Sequence, residues 1–142
     1  MAYNLFIDTD VILDILLNRE KHYDDSAAIF KCFENNSAKL YTSATVVINA
    51  QYIAQKQIAK EKCRSGMIYL LNYFELVEPD KSIVLKSYKS GFSDIEDAIQ
   101  YFTAHNSGII DFIITRNIKD YKIASKTLPV VTPAQFLKQH IR

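Results

Sequence analysis

A chain of 142 residues with 49% apolar and 23% charged side chains has the composition of an ordinary globular protein and the length of one domain, read here as residues 1–142. Lys and Arg number 17 against 16 Asp and Glu, a net charge of +1, so no global field marks it for nucleic acid or a membrane, and a polyanion site must come from local placement. Cys32 and Cys63 lack paired spacing, no apolar run approaches ~18 residues, and no basic-then-apolar leader opens the chain; the expectation is a complete cytoplasmic protein with free thiols and no membrane partner.

The run Leu5-Phe6-Ile7 has the length and bounds of a buried strand and stops at Asp8. Val11, Ile12, Ile15 and Leu16 then repeat with helical spacing. A carboxylate ending a buried strand sits at the carboxyl edge of a sheet, where open α/β folds bind ligands. Burying it is costly without a cation or hydrogen bonds, so Asp8 is the first candidate metal ligand or catalytic acid. After a polar connection, Asn18 to His22, the spacing predicts a helix capped by Asp24 or Asp25 and stopping near Asn35-Asn36. Lys39 to Thr42 reads as a strand, Ser43 as the cap of a helix through Val46, Val47, Ala50, Ile53 and Ala54. Lys60 to Phe74 reads as a helix with Met67, Ile68, Leu70 and Leu71 inward, Glu75 to Glu78 as a strand, and Ser82 to Tyr88 as a short helix. Ser93 opens the next helix, which Gly108 stops. Ile109 to Thr115 and Val130-Val131 are strands, and Pro133 opens a last helix. Strands alternating with helices predict a parallel sheet covered on both faces.

Three polar foci fall where such a sheet would gather them. Asp8 is one. Ser93-Asp94-Ile95-Glu96-Asp97 is the second, with Ser93 and Glu96 in capping-box spacing and acids favoured by the helix dipole. Taking Ile95, Ala98, Ile99 and Phe102 as the buried face, Asp94 and Asp97 lie about 60° apart on one flank and Glu96 looks away. Asp97 is the expected ligand and Asp94 its neighbour or alternate. The third focus, Thr115, Arg116, Asn117 and Asp120, follows the strongest late strand; its plain alternative is a turn whose Asn and Asp satisfy backbone. On the helix from Ser43, Thr45, Asn49, Tyr52 and Lys56 share a flank, which suits a nucleic-acid strand as well as the boundary of any amphipathic helix. Lys60, Lys62, Arg64, Lys119, Lys122 and Lys126 add local positive charge.

No Gly-rich phosphate loop, G-x-S-x-G element or zinc spacing of His22, His105 and His140 is present. Carboxylates without His or Cys partners favour a hard cation, Mg²⁺ or Mn²⁺, and such a site suits phosphodiester hydrolysis.

At Phe6-Ile-Asp-Thr-Asp-Val-Ile-Leu-Asp14, Asp94-Ile-Glu-Asp-Ala-Ile-Gln-Tyr101 and Ile114-Thr-Arg-Asn-Ile-Lys-Asp-Tyr121 the chain resembles the PIN-domain family, the metal-dependent nuclease fold of many bacterial toxin–antitoxin toxins. The resemblance implies a three-layer α/β/α fold with about five parallel strands, Mg²⁺- or Mn²⁺-dependent cleavage of RNA, an antitoxin partner and a homodimer. By position it implies Asp8 and Asp97 as metal-holding catalytic acids, helped by Asp94. The helix glutamate of the pattern is here Asn49 and the acid after Thr-Arg is Asn117; a branch with the same Thr-Arg-Asn-x-x-Asp wording resembles the chain more closely and leaves Asp120 to substitute. Asp10 stands where Asn is usual. Asn49, Asn117 and Asp120 join the expected catalytic set, and Thr9, Asp10, Thr45, Tyr52, Lys56, Thr115 and Arg116 the expected substrate contacts. Two rival functions stay open: a degenerate PIN fold that binds RNA or protein without cutting, and a haloacid dehalogenase-like phosphatase suggested by Asp8-Thr-Asp10, from which Ile12 and Thr115-Arg116-Asn117 depart.

Overall fold

In the computed structural model, which describes residues 2–121 and 128–141, five parallel strands form one sheet. The strands are β1 (Tyr3–Ile7), β2 (Ala38–Thr42), β3 (Phe74–Leu76), β4 (Phe112–Ile114) and β5 (Val130–Val131), in the order β3-β2-β1-β4-β5. Among the described residues seven α-helices flank it: α1 (Thr9–Leu16), α2 (Tyr23–Glu34), α3 (Ala44–Ala54), α4 (Lys60–Leu71), α5 (Lys81–Tyr88), α6 (Ile95–Ser107) and α7 (Pro133–His140). The expected α/β architecture with a five-stranded parallel sheet is the one the chain forms. Among the described residues no helix is long and apolar enough to cross a membrane.

β1 lies at the centre because both its neighbours cover it. Leu5, Phe6 and Ile7 are wholly buried, each contributing roughly 2 kcal/mol by leaving water. The chain first builds outward through β2 and β3, then returns to the other side of β1 with β4 and β5. Strand order therefore reverses between β1 and β4, and the crevice beyond their carboxyl ends is where a doubly wound sheet binds ligands. Asp8 follows β1 and Thr115 follows β4, so both stand at that crevice.

Several helix ends follow their sequence signals. Ser43 caps α3 by accepting from the Val46 amide, Gly108 ends α6 with φ 72°, and Thr132 with Gln135 forms a capping box before Pro133 on α7. Others differ. α2 begins at Tyr23 after His22, and Asp24 and Asp25 lie in its first turn, where the dipole favours them without a cap bond. α4 ends at Leu71, and Phe74 already belongs to β3; Cys63, Met67 and Leu70 are its buried positions, whereas Ile68 is 63% exposed. Glu78 lies beyond β3, and its carboxylate accepts the Ala44 amide at the start of α3. α5 starts at Lys81 because Asp80 caps it, accepting from the Ile83 amide. Ile109 to Asp111 stay outside β4, where Asp111 instead accepts the Asn4 amide at 2.8 Å.

Candidate active site

Asp8 follows β1 with an extended backbone and caps α1, so strand and helix together fix its carboxylate at the sheet edge. Oδ1 accepts the Thr9 amide at 2.7 Å. Oδ2 accepts the Thr115 hydroxyl at 2.8 Å and lies 3.3 Å from the Tyr121 hydroxyl, which donates to it. Asp10, in the first turn of α1, presents Oδ2 to the Arg116 amide at 3.0 Å and to Asn117 Nδ2 at 3.2 Å. The segment after β4 thus holds Asp8 and Asp10 through its own donors.

α6 brings the remaining acids. Asp94 is its cap, accepting the Asp97 amide at 3.0 Å, so the box expected from Ser93 and Glu96 does not form and the helix begins one residue later. The buried positions of α6 are Ala98, Gln100, Tyr101, Thr103 and Ala104; Ile95, Ile99 and Phe102 are only partly buried. The helix is therefore turned away from the expected face, with Phe102 beside Phe92 and under Lys86. That turn brings Glu96 to the site rather than away from it. Its carboxylate accepts Asn49 Nδ2 from α3, so the pocket is walled by α3 on the side Glu96 faces.

These groups line an open cavity of about 300 Å³ together with Leu13, Ile53, Gln100, Asn117 and Asp120. Burial first, and the Asp8 charge next, push the Asp97 carboxyl up to about 7; the same two causes push Asp10 to about 6. Burial also raises Asp8 and Glu96, and it holds the Tyr121 hydroxyl well above its usual range, keeping that group a donor. Crowded carboxylates, each raised mainly by desolvation, are a site short of positive charge.

A divalent cation fits this donor set. Asp10 Oδ1, Gln100 Oε1 and Thr9 Oγ1 are buried with no hydrogen-bond partner, which is costly unless something polar meets them. All three residues line the cavity, and its oxygens suit a hard ion. Among the described residues no three Asp, Glu, His or Cys side chains close a cage on one point.

Of the expected site residues, the cavity gathers Asp8, Thr9, Asp10, Asn49, Asp94, Asp97, Asn117 and Asp120. Thr115 lies beneath it, fully buried on Asp8. The Arg116 guanidinium turns away to Asp14. Thr45 and Tyr52 are exposed on α3 outside the cavity lining; the helix ends at Ala54, so Lys56 lies in the turn beyond it rather than on the expected flank, with its Nζ 4.3 Å from the Tyr52 ring centre. Lys60, Lys62, Arg64 and Lys119 are exposed; Lys122 and Lys126 lie outside the described residues. Sequence spacing missed Glu96, Gln100 and Tyr121, whose roles depend on partners far along the chain.

A family model described as PIN domain matches residues 4–119. Ribonuclease VapC1 of Aquifex aeolicus (strain VF5) is 28% identical over 140 residues, covering 95% of this chain and 94% of the relative. The crystal structure of VapBC2 from Rickettsia felis bound to a DNA fragment from their promoter is similar with a TM-score of 0.65 at 18% identity, over 89% of this chain and 96% of that one. PAE2754 from Pyrobaculum aerophilum is similar with a TM-score of 0.63 at 15% identity, over 97% of each chain. At those identities the two structures speak to the fold.

Proposed function

The chain belongs to the PIN domain family, and we propose that it is a metal-dependent endoribonuclease of the cytoplasm, the toxin of a toxin–antitoxin pair. The observation that carries this reading is the gathering of Asp8, Asp10, Asp94, Glu96 and Asp97 around buried, unpartnered oxygens at the sheet's switch point. The likeness to Ribonuclease VapC1 over nearly the whole chain supports RNA as substrate. The VapBC2 neighbour supports an antitoxin partner, and exposed Ile48, Tyr52, Ile68 and Tyr69 on α3 and α4 offer apolar surface for it or for a second copy of the chain. The family match sets aside the phosphatase reading.

Asp8 and Asp97 would hold the ion, with Asp94, Asp10 Oδ1 and Glu96 lining the same pocket. Bound Mg²⁺ or Mn²⁺ supplies positive charge to the scissile phosphate and makes a water more acidic. Thr115 and Tyr121 keep Asp8 oriented through the hydroxyls they donate. Asn117 and Asn49 carry amide donors into the pocket beside Asp10 and Glu96, where they orient a water or a phosphate oxygen. Asp120 adds negative charge at the rim and raises Asp97 further. Burial and the Asp8 charge raise the Asp97 carboxyl to about 7, so a cation held there would compete with a proton near neutral pH. At the end of α3, Tyr52 offers a stacking face, and Lys56 in the turn beyond Ala54 a cation, to the RNA strand.

The binding-only reading draws on Asn49 and Asn117, amides in positions where carboxylates would add charge. EDTA-treated protein, supplied with RNA and then with Mn²⁺ or Mg²⁺, separates the two. Cleavage that returns with metal is expected; intact RNA bound equally with and without metal would favour the non-cleaving protein.

A further inference from the structure

Asp14 takes no part in the chemistry above, yet it is fully buried on α1, one turn beyond Asp10. A carboxylate so placed needs full compensation, and it has it. Ser26 Oγ donates to Oδ2 at 2.7 Å, Arg116 Nε to Oδ2 at 3.0 Å and Arg116 Nη2 to Oδ1 at 3.0 Å. The guanidinium and carboxylate meet fork to fork, the geometry that fixes an arginine most firmly. Arg19 Nη1 stands at 3.7 Å on the same side.

The other side of Arg116 is its backbone, and it faces the acids. Its amide donates to Asp10 Oδ2 at 3.0 Å, while Thr115 before it donates to Asp8 and Asn117 after it donates to Asp10. Three consecutive residues thus present donors to Asp8 at the cap of α1 and Asp10 in its first turn, and the side chain of the middle one is anchored on that same helix. The ring of contacts runs from Asp14 through Arg116 to Asp10, one turn back along α1.

We infer that the Asp14–Arg116 pair is a positioning clamp, which sets the Thr115-Arg116-Asn117 turn and through it the orientation of the Asp8 and Asp10 carboxylates for a metal ion. The inference rests on the metal-site reading of the pocket. It gives Arg116 a role other than RNA contact, since Nε and Nη2 are already committed to Asp14. Partners that orient metal-holding side chains typically change metal affinity by about 10–100-fold when lost. Lysine keeps the charge but cannot reproduce the fork.

Arg116→Lys and Asp14→Asn, each checked for folding by circular dichroism, are compared with the parent in three measurements. These are Mn²⁺ titration by calorimetry, binding of a single-stranded RNA in EDTA, and hydrogen exchange of the residue-116 amide in metal-free protein. The clamp requires Mn²⁺ affinity to fall by about tenfold or more, RNA affinity to hold, and the amide to lose protection. Unchanged Mn²⁺ affinity and amide protection with lost RNA binding would overturn it and make Arg116 an RNA contact. Unchanged values in all three would reduce the pair to a staple between α1 and β4. Where Asp14→Asn does not fold, Arg116→Lys, which leaves Asp14 paired to a cation, carries the test. If the parent itself binds no Mn²⁺, the metal reading fails while amide exchange at position 116 still decides the clamp.

Discussion

Asn49 on α3 donates through Nδ2 to the carboxylate of Glu96 on α6, joining two helices across the mouth of the acidic pocket. The bond occupies one oxygen of Glu96 and turns the group toward the cavity that burial makes unfavourable for a lone charge. Glu96→Gln keeps an acceptor for Asn49 and removes the charge. Mn²⁺ affinity, read by calorimetric titration, is expected to fall by about an order of magnitude. An unaltered affinity would show that Glu96 only ties the helices together.

Two carboxyls of the pocket give the metal-free protein an unusual pH dependence. Asp97 is raised from 3.8 to about 7 and Asp10 to about 6, so the folded chain holds protons that the unfolded chain releases near pH 4. A raised folded value contributes stability that is complete below the unfolded value and lost as pH rises through the folded one. Thermal melts in EDTA are therefore expected to show a lower midpoint at neutral pH than at pH ~5. Mn²⁺ should reverse the trend, because its binding tightens as protons leave. A metal-free midpoint that climbs steadily to neutrality would contradict this electrostatic picture.

The same desolvation makes Asp8 costly to the fold. Asp8→Asn removes a buried charge and keeps one acceptor: its single oxygen serves the Thr9 amide at the helix cap, while the Thr115 hydroxyl retains Asp10 Oδ2 at 3.3 Å as a partner. The metal-free variant is expected to be more stable by on the order of 1 kcal/mol, a rise of roughly 2–4 °C in Tm. Calorimetry of both proteins in EDTA checks it; a large loss of stability would mean the ionised carboxylate is needed by the scaffold itself.

Tyr52 is 57% exposed and carries Lys56 over one face of its ring. Base stacking on such a ring is worth about 1–3 kcal/mol, so Tyr52→Ala should weaken single-stranded RNA binding by about tenfold or more. Fluorescence anisotropy in EDTA measures this without cleavage, and Mn²⁺ affinity should hold. Equal RNA affinity would remove α3 from the RNA path.

What could be read from the sequence was local. Leu5-Phe6-Ile7 followed by Asp8 marks a central strand and its terminal acid because a short apolar run can be satisfied only inside the sheet. Ser43, Gly108 and Pro133 mark helix ends through their own backbone chemistry. Spacing misjudged α6, since Gln100, Thr103 and Ala104 pack inward while the apolar Ile95 and Ile99 stay at the boundary. It also misjudged α4, where Ile68 and Leu71 are exposed, although Cys63 is buried as expected of a free thiol. The pairings that shape the pocket, Asn49 with Glu96 and Asp14 with Arg116, join residues separated by 47 and 102 positions. No helical or strand period encodes such contacts; they exist only once β1 and β4 are neighbours.

Cleavage of an end-labelled RNA with Mn²⁺, with Mg²⁺ and with EDTA, by the parent and by Asp8→Asn from parallel preparations, tests the nuclease most directly. Cutting that requires metal and disappears in Asp8→Asn is the expected result. Cutting that persists in EDTA, or at the parental rate in Asp8→Asn, would contradict a metal-dependent reaction centred on Asp8.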